Sequence, residues 1–261
     1  MSAVALQLAF VEFAPQALER PGPAVDVAPG CIDLWAYSLR TDAPLEAWAT
    51  RLADDERTRM EAMFRPRDRV RFAVAHAVLR ALLARYAGGN AAEVEIRHEA
   101  HGKPYLARGG GAGGDLAFNL SHSEDRALLG VARARRIGVD LEREQDRVDV
   151  MSIARRFFAP GERDMLASLP ERDRCAWFHR QWVGKEAVLK AHGMGLSAPP
   201  ERFDVVFDEG GGGSVLCAGR APGCEWTLRL LDAGPGWHAA VASAGRDWVV
   251  RLRSPESPSV A

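Results

Sequence analysis

From Ile137 to Glu142 the apolar residues Ile137, Val139 and Leu141 alternate with Gly138, Asp140 and Glu142. Period-two alternation reads as a strand and places Asp140 and Glu142 on one face, a single pleat apart. Further along, Trp182, Glu186 and Lys190 recur at steps of four, which stacks them on one stripe of a helix. Two carboxylates on a strand facing a third on a helix form an all-oxygen donor set that suits Mg²⁺, with Mn²⁺ as a substitute. With Lys185 and Lys190 beside it, such a nest fits a metal bridging to phosphate oxygens while ammonium groups take up the remaining negative charge. Taken singly, the strand reads as a solvated sheet face and the helix as a surface stripe with one favourable pair. Leu141 points inward, so only Asp140 and Glu142 can coordinate from the strand, and Glu186 completes a three-carboxylate site only by turning toward the metal.

The rest of the chain sets the frame. Its 261 residues admit one large domain or two modest ones. A net charge of -1 gives no global preference for nucleic acid or membrane. Locally, Arg57, Arg59, Arg65, Arg67, Arg69, Arg71, Arg80 and Arg85 gather in one stretch, a field suited to a polyanion. Asp54, Asp55, Glu56 and Glu61 are the solvated partners that would account for most of them. Cys31, Cys175, Cys217 and Cys224 show no metal-type spacing and fit a reduced cytosolic protein. No apolar run nears the ~20 residues that cross a bilayer, and no basic segment precedes the apolar start, so a cytoplasmic location is expected.

Residues 1–30, broken by Pro15, Pro21, Gly22, Pro23, Pro29 and Gly30, read as an extended arm. A strand is expected over 32–37, helices over 45–64 and 69–86, and a short strand over 94–98 before the turn at Gly102-Lys103-Pro104. The glycine-rich stretch 109–114 lacks the strand-to-helix context and the Lys-Ser/Thr of a phosphate loop and reads as a connection. Residues 116–120, 127–132 and 137–142 form a meander, followed by helices over about 149–158, 160–168 and 172–192. Gly193-Met194-Gly195 ends the last of these. Residues 203–207, 214–218, 226–231, 238–242 and 248–252 read as antiparallel strands, with a disordered tail around Pro255 and Pro258. The order gives an α+β chain of two halves, 31–135 and 136–253, between the arm and a tail at 254–261.

The blocks Gly138-Val139-Asp140-Leu141-Glu142 and Trp182-x-x-Lys185-Glu186-x-x-x-Lys190 together resemble the paired signature of the 4′-phosphopantetheinyl transferases of the Sfp type. Gly102-Lys103-Pro104, Phe118-Asn119-Leu120-Ser121-His122-Ser123, Arg156-Phe157-Phe158 with Glu162, and Gly193-x-Gly195-Leu196-Ser197 follow in the family's order. The resemblance spans roughly 50–207. It implies two similar α+β halves related by pseudo-twofold symmetry, with the nucleotide in the cleft between them. It further implies a monomeric enzyme that transfers the 4′-phosphopantetheine arm of coenzyme A to a serine of an apo acyl or peptidyl carrier protein. In that reaction 3′,5′-ADP leaves, and size points to polyketide and nonribosomal peptide assembly lines.

The resemblance assigns the metal to Asp140, Glu142 and Glu186, and the pyrophosphate to Lys190 with Lys185 as a second contact. It gives the serine proton to Glu162, with Glu142 or a metal-bound water as alternatives; a helix-start role is the other reading of Glu162. Lys103, Ser121 and His122 match contacts to the 3′-phosphate and adenine, and Arg59 and Arg71 match contacts to the nucleotide phosphates, Arg57 being close in register. His76 and Trp182 read as packing residues. Two other classes compete: a metal-dependent phosphohydrolase using the same nest on a phosphoanhydride, and a coenzyme A-binding protein without activity. The latter would be marked by a lost carboxylate or lysine, and none is lost among Asp140, Glu142, Glu186 and Lys190.

Overall fold

The computed structural model describes residues 6–19, 22–107, 115–145, 147–193, 199–208, 210–217 and 226–255. The stretch 109–114, Met194 to Ser197, Cys224 and Pro258, and the side chain of Cys217, lie outside the described residues. The chain is α+β and divides into two compact units. Among the described residues no helix is long and apolar enough to cross a membrane.

The first unit takes the described residues within Met1–Leu8, His98–Pro104 and Arg135–Trp248. Its strands are β1 (Leu6–Gln7), β7 (Ile137–Arg143), β8 (Phe203–Phe207), β9 (Gly212–Cys217), β10 (Trp226–Asp232) and β11 (Trp237–Ala244). They order as β7-β11-β10-β9-β8, all antiparallel, with β1 added parallel to β10. The stretch read as an extended arm thus contributes a short strand. Helices α4 (Val150–Phe157), α5 (Pro160–Ser168) and α6 (Glu171–His192) follow β7. Acidic Glu171 and Asp173 stand in the first turn of α6 and basic Lys190 and His192 in its last, each complementing the helix dipole. Gly193 ends it in the left-handed conformation at φ 82°, which favours glycine.

Packing of α6 on β7 is the tightest contact of this unit. A Cβ at Gly138 would lie 2.0 Å from the Ala187 carbonyl and 2.4 Å from the Ala191 nitrogen, both backbone atoms that cannot swing aside. Glycine therefore lets the helix backbone rest on the strand. Around this contact Val183, Ala187, Val188 and Ala191 meet Phe203, Trp226 and Leu228 in one apolar cluster. A second cluster holds Phe158, Leu166 and Phe178 with Trp182 packed against them, its ring stacked near those of Phe158 and Phe178.

The second unit takes the described residues within Ala9–Arg97, Tyr105–Ala134 and Val249–Ala261. It contains β2 (Cys31–Ser38), β5 (Leu116–Ser123), β6 (Arg126–Arg133) and β12 (Val249–Arg253), ordered β12-β2-β6-β5. Helices α1 (Leu45–Ala49), α2 (Asp54–Glu61) and α3 (Pro66–Ala87) pack its main core. A two-stranded hairpin joins β3 (Ile96–His98) to β4 (Pro104–Leu106). The single helix expected over 45–64 is two, because the Glu56 carboxylate accepts from the Ala53 backbone N–H at 2.9 Å and starts a new helix there.

The final strand corrects the sequence reading. β12 runs parallel to β2 in the second unit, not antiparallel at the end of the first, so the contacts of residues 136–253 do not stay in one half. Burial explains this. Every residue of β2 is buried, including Asp33 at 0% exposure, so β2 cannot be a sheet edge. Arg253 of β12 brings Asp33 a guanidinium at 2.8 Å, and the Tyr86 hydroxyl donates to Asp33 Oδ2 at 3.0 Å. A buried acid needs such partners.

The Gly138 contact makes a clear prediction. Gly138→Ala forces apart two backbones and should lower the unfolding free energy by about 1–3 kcal/mol or more, the usual cost of overpacking. Chemical denaturation of the two proteins measures it, and an unchanged midpoint would mean that α6 does not rest on β7 as described.

Candidate functional site

Asp140 and Glu142 share a face of β7, opposite Ala240 and His238 of β11. The structure buries Asp140 to 1% exposure, whereas alternation alone suggested a solvated position; α6 lies over that face. Glu142 is half-buried. The stripe of α6 brings Lys190 to Asp140, with Nζ donating to Oδ1 at 2.5 Å. Burial works against the Lys190 ammonium, but Asp140, Glu186 and Glu142 outweigh it and hold its pKa above the usual lysine value. The Glu186 carboxyl is pushed up, first by burial and then by the like charge of Asp140. Asp140, Glu186 and Glu142 thus all act on Lys190.

Metal chemistry can be tested on this geometry. The donors are all oxygen, and the like-charge strain between Asp140 and Glu186 is what a divalent cation would relieve. As they stand, however, no three His, Cys, Asp or Glu groups among the described residues are gathered to hold a metal ion. The residues fit a hard cation by chemistry, with the two β7 carboxylates as its natural holders.

Glu162 and Lys185, the expected proton acceptor and second phosphate contact, are paired with each other and with backbone groups. Glu162 is 5% exposed; its Oε2 accepts from the Ala159 N–H at 2.9 Å and its Oε1 from the Val205 N–H at 2.9 Å. Lys185, 1% exposed, places Nζ 2.8 Å from Glu162 Oε2. It also donates to the Pro200 and Phe203 carbonyls at 2.8 and 2.5 Å. Burial raises the Glu162 carboxyl and lowers the Lys185 ammonium, each opposing the attraction between them. Lys185 has its three protons directed at protein oxygens and does not reach out to a phosphate. Glu162 starts α5 and anchors β8.

Lys103 likewise has internal partners. Its Nζ donates to the carbonyls of Ile137, Lys190 and Ala191 at 3.0, 2.6 and 2.9 Å, closing the C-terminal end of α6. Burial, helped by Arg136, pushes its pKa down to about 8.

The remaining candidates belong to the second unit. Arg71 pairs with Glu124 at 2.8 Å and is engaged. Arg59 is exposed, its guanidinium 5.4 Å from the Phe72 ring centroid. Arg57 binds Asp54 and the Leu52 carbonyl. Ser121 and His122 are neighbours on β5 and face opposite ways, Ser121 buried and His122 exposed. His76 stacks on Phe72 and shares a hydrogen bond with Glu56 at 2.9 Å.

The comparisons with known proteins cover the segments that carry these residues. Residues 136–242 match the 4′-phosphopantetheinyl transferase superfamily, and residues 40–133 match the 4′-phosphopantetheinyl transferase N-terminal family. The 4′-phosphopantetheinyl transferase HetI of Nostoc sp. strain PCC 7120 is 35% identical over 83% of this chain and 89% of its own. The chain belongs to the 4′-phosphopantetheinyl transferase family. A 4′-phosphopantetheinyl transferase of Bacillus subtilis is 29% identical over 81% of this chain and 93% of its own. The transferase Sfp of Bacillus subtilis strain 168 is 24% identical over the same shares, 81% and 93%. As a transferase, then, this enzyme carries Asp140, Glu142, Glu162, Lys185, Glu186 and Lys190 inside the superfamily match. Arg59, Arg71, Lys103, Ser121 and His122 fall inside the N-terminal match.

Sequence reasoning missed the partners that hold this transferase's motif residues in place. The carbonyls facing Lys103 and the Glu162–Lys185 pair carried no spacing signal. One signal was readable: Asp33 is the sole charged residue in Cys31–Ser38, which required a buried cation from elsewhere.

Two outcomes follow. Glu162→Gln should lower the unfolding free energy by about 3–5 kcal/mol, the cost of stranding a buried partner. The double variant Glu162→Gln/Lys185→Met should lose less than the sum of the two single changes. A Glu162→Gln enzyme of full stability but with a rate reduced ~10²-fold or more would return Glu162 to the chemistry. Lys103 titrates lower folded than unfolded, so the unfolded chain binds more protons from about pH 8 to the ordinary lysine range. Stability should therefore rise with pH in that window, by at most about 1.4 kcal/mol per unit, and Lys103→Met should remove the slope. Denaturant melts of both proteins at several pH values check the sign.

Proposed function

We propose that this enzyme transfers the 4′-phosphopantetheine group of coenzyme A to a serine hydroxyl of an apo acyl or peptidyl carrier protein and releases 3′,5′-ADP. We assign it to the Sfp type, acting in the cytoplasm as a monomer of two similar halves and requiring Mg²⁺ or Mn²⁺. The observation that carries this reading is the meeting of Asp140, Glu186 and Lys190 within the superfamily match. Membership of the transferase family supports the reaction class.

Within the proposal, Asp140 and Glu142 would hold the cation, which would supply positive charge toward the pyrophosphate of coenzyme A. Lys190, kept protonated by the surrounding acids, binds the phosphate oxygens and meets the charge that grows on the leaving group. Glu186 is assigned the serine proton. Its raised pKa moves it toward the working pH, as suits a general base, and Glu162 is already engaged. Arg59 and His122, both exposed, are the nucleotide contacts retained from the expected set.

Intact mass spectrometry of apo carrier proteins incubated with enzyme, coenzyme A and Mg²⁺ tests the reading. One phosphopantetheine should be added per carrier, and Asp140→Asn or Glu142→Gln should abolish the addition. Glu186→Gln should leave coenzyme A affinity near wild type and slow single-turnover transfer by roughly 10²–10⁴-fold. Loss of coenzyme A in a mixture without any carrier would favour the phosphohydrolase instead.

A further inference from the structure

The arginines from Arg57 to Arg71 differ in what holds them. Arg57 pairs with Asp54, Arg67 with Asp68 at 3.6 Å and Arg71 with Glu124 at 2.8 Å. Arg69 donates through Nε to the Met63 carbonyl at 2.7 Å. Arg59 is held in another way. It is exposed, no carboxylate among the described residues pairs with it, and its guanidinium rests over the Phe72 ring, 5.4 Å from the centroid. A carboxylate neutralises a guanidinium and occupies its N–H groups. An aromatic face holds it by its plane and leaves both the charge and the donors free for a ligand.

The ring beneath Arg59 is itself fixed. Phe72 is 3% exposed and stacks on His76, with centroids 4.0 Å apart and planes 20° from parallel. His76 Nδ1 lies 2.9 Å from Glu56 Oε1. Glu56 Oε2 accepts from the Ala53 N–H at 2.9 Å and from Arg80 at 3.3 Å. Arg59 comes from α2 and Phe72 from α3, and Glu56 joins the first turn of α2 to His76 and Arg80 of α3. One buried carboxylate thus sets the placement from which Arg59 reaches the ring. An arginine held before its ligand arrives gives up less side-chain freedom on binding. We propose that Phe72 is a positioning residue for coenzyme A, holding the Arg59 guanidinium as a preset, uncompensated cation for a phosphate of the nucleotide, with the Glu56–His76 pair fixing the two helices. This rests on the transfer reading above, in which Arg59 contacts the nucleotide.

Calorimetric titration of the full-length protein with coenzyme A in the presence of Mg²⁺ tests this as a double-mutant cycle. Arg59→Gln should weaken coenzyme A about tenfold or more, the loss of a charge-assisted contact. Phe72→Leu should weaken it about two- to fivefold, the range of an exposed cation–aromatic contact. In the Arg59→Gln background Phe72→Leu should have no further effect, whereas a change that only loosened the core would weaken both proteins alike. Phe72→Met also fills the core without an aromatic face and serves as a second variant, with the same expected loss. Wild-type affinity in both Phe72 variants, or an equal loss with and without Arg59, overturns this inference alone. A wild-type protein that binds no coenzyme A overturns the transfer reading together with it.

Discussion

The close approach of α6 to β7 at Gly138 is the contact on which the acidic site depends. It sets the helix at backbone distance from the strand, so that residues one and two turns along α6 overhang the strand face carrying Asp140. That same covering strips water from Asp140, and a lone carboxylate there would be expensive. Lys190 offsets the cost directly at 2.5 Å. The consequence is electrostatic: the acidic neighbours of Lys190 raise its pKa, and Glu186 is raised first by its own burial and then by Asp140. A helix packed farther away, over an alanine, would leave the same residues as separate solvated charges.

The two lysines of α6 show how one motif serves two ends. Five helical steps of ~100° put Lys185 and Lys190 about 140° apart around the axis. Lys190 therefore faces β7 and its acids, and Lys185 must face another side. There it meets Glu162 and the carbonyls of Pro200 and Phe203, tying α5, α6 and the start of β8 into one structure. A cation so placed holds these three elements together.

What could be read from the sequence follows from the range of each signal. Period-two alternation located β7, and four-residue steps located α6 and the shared face of Glu186 and Lys190, because these patterns are local. The break between α1 and α2 was hidden, since the apolar spacing runs on while Glu56 reaches back to cap a new helix at Ala53. The partner of β12 was hidden more deeply: nothing near Val249 reveals that it pairs with Cys31 far earlier in the chain. Glu162 and Lys103 were legible as motif residues but not in role, because their partners are backbone groups, which have no residue-type signature.

Burial of charge gives the second unit its own logic. Asp33 has Arg253 and Tyr86, and Glu56 has His76 and Arg80, so each buried acid is matched by donors from another element. These pairings fix register and helix placement, because a shifted β12 would strand Asp33. Among the described buried charges of this unit, Arg85 departs from this pattern, with an aromatic face and one carbonyl standing where a carboxylate is found elsewhere. Burial accordingly lowers its pKa from the ordinary arginine value. A guanidinium held this way keeps its charge only at a cost in stability. An arginine that served packing alone could be replaced by an apolar side chain of similar length without that cost.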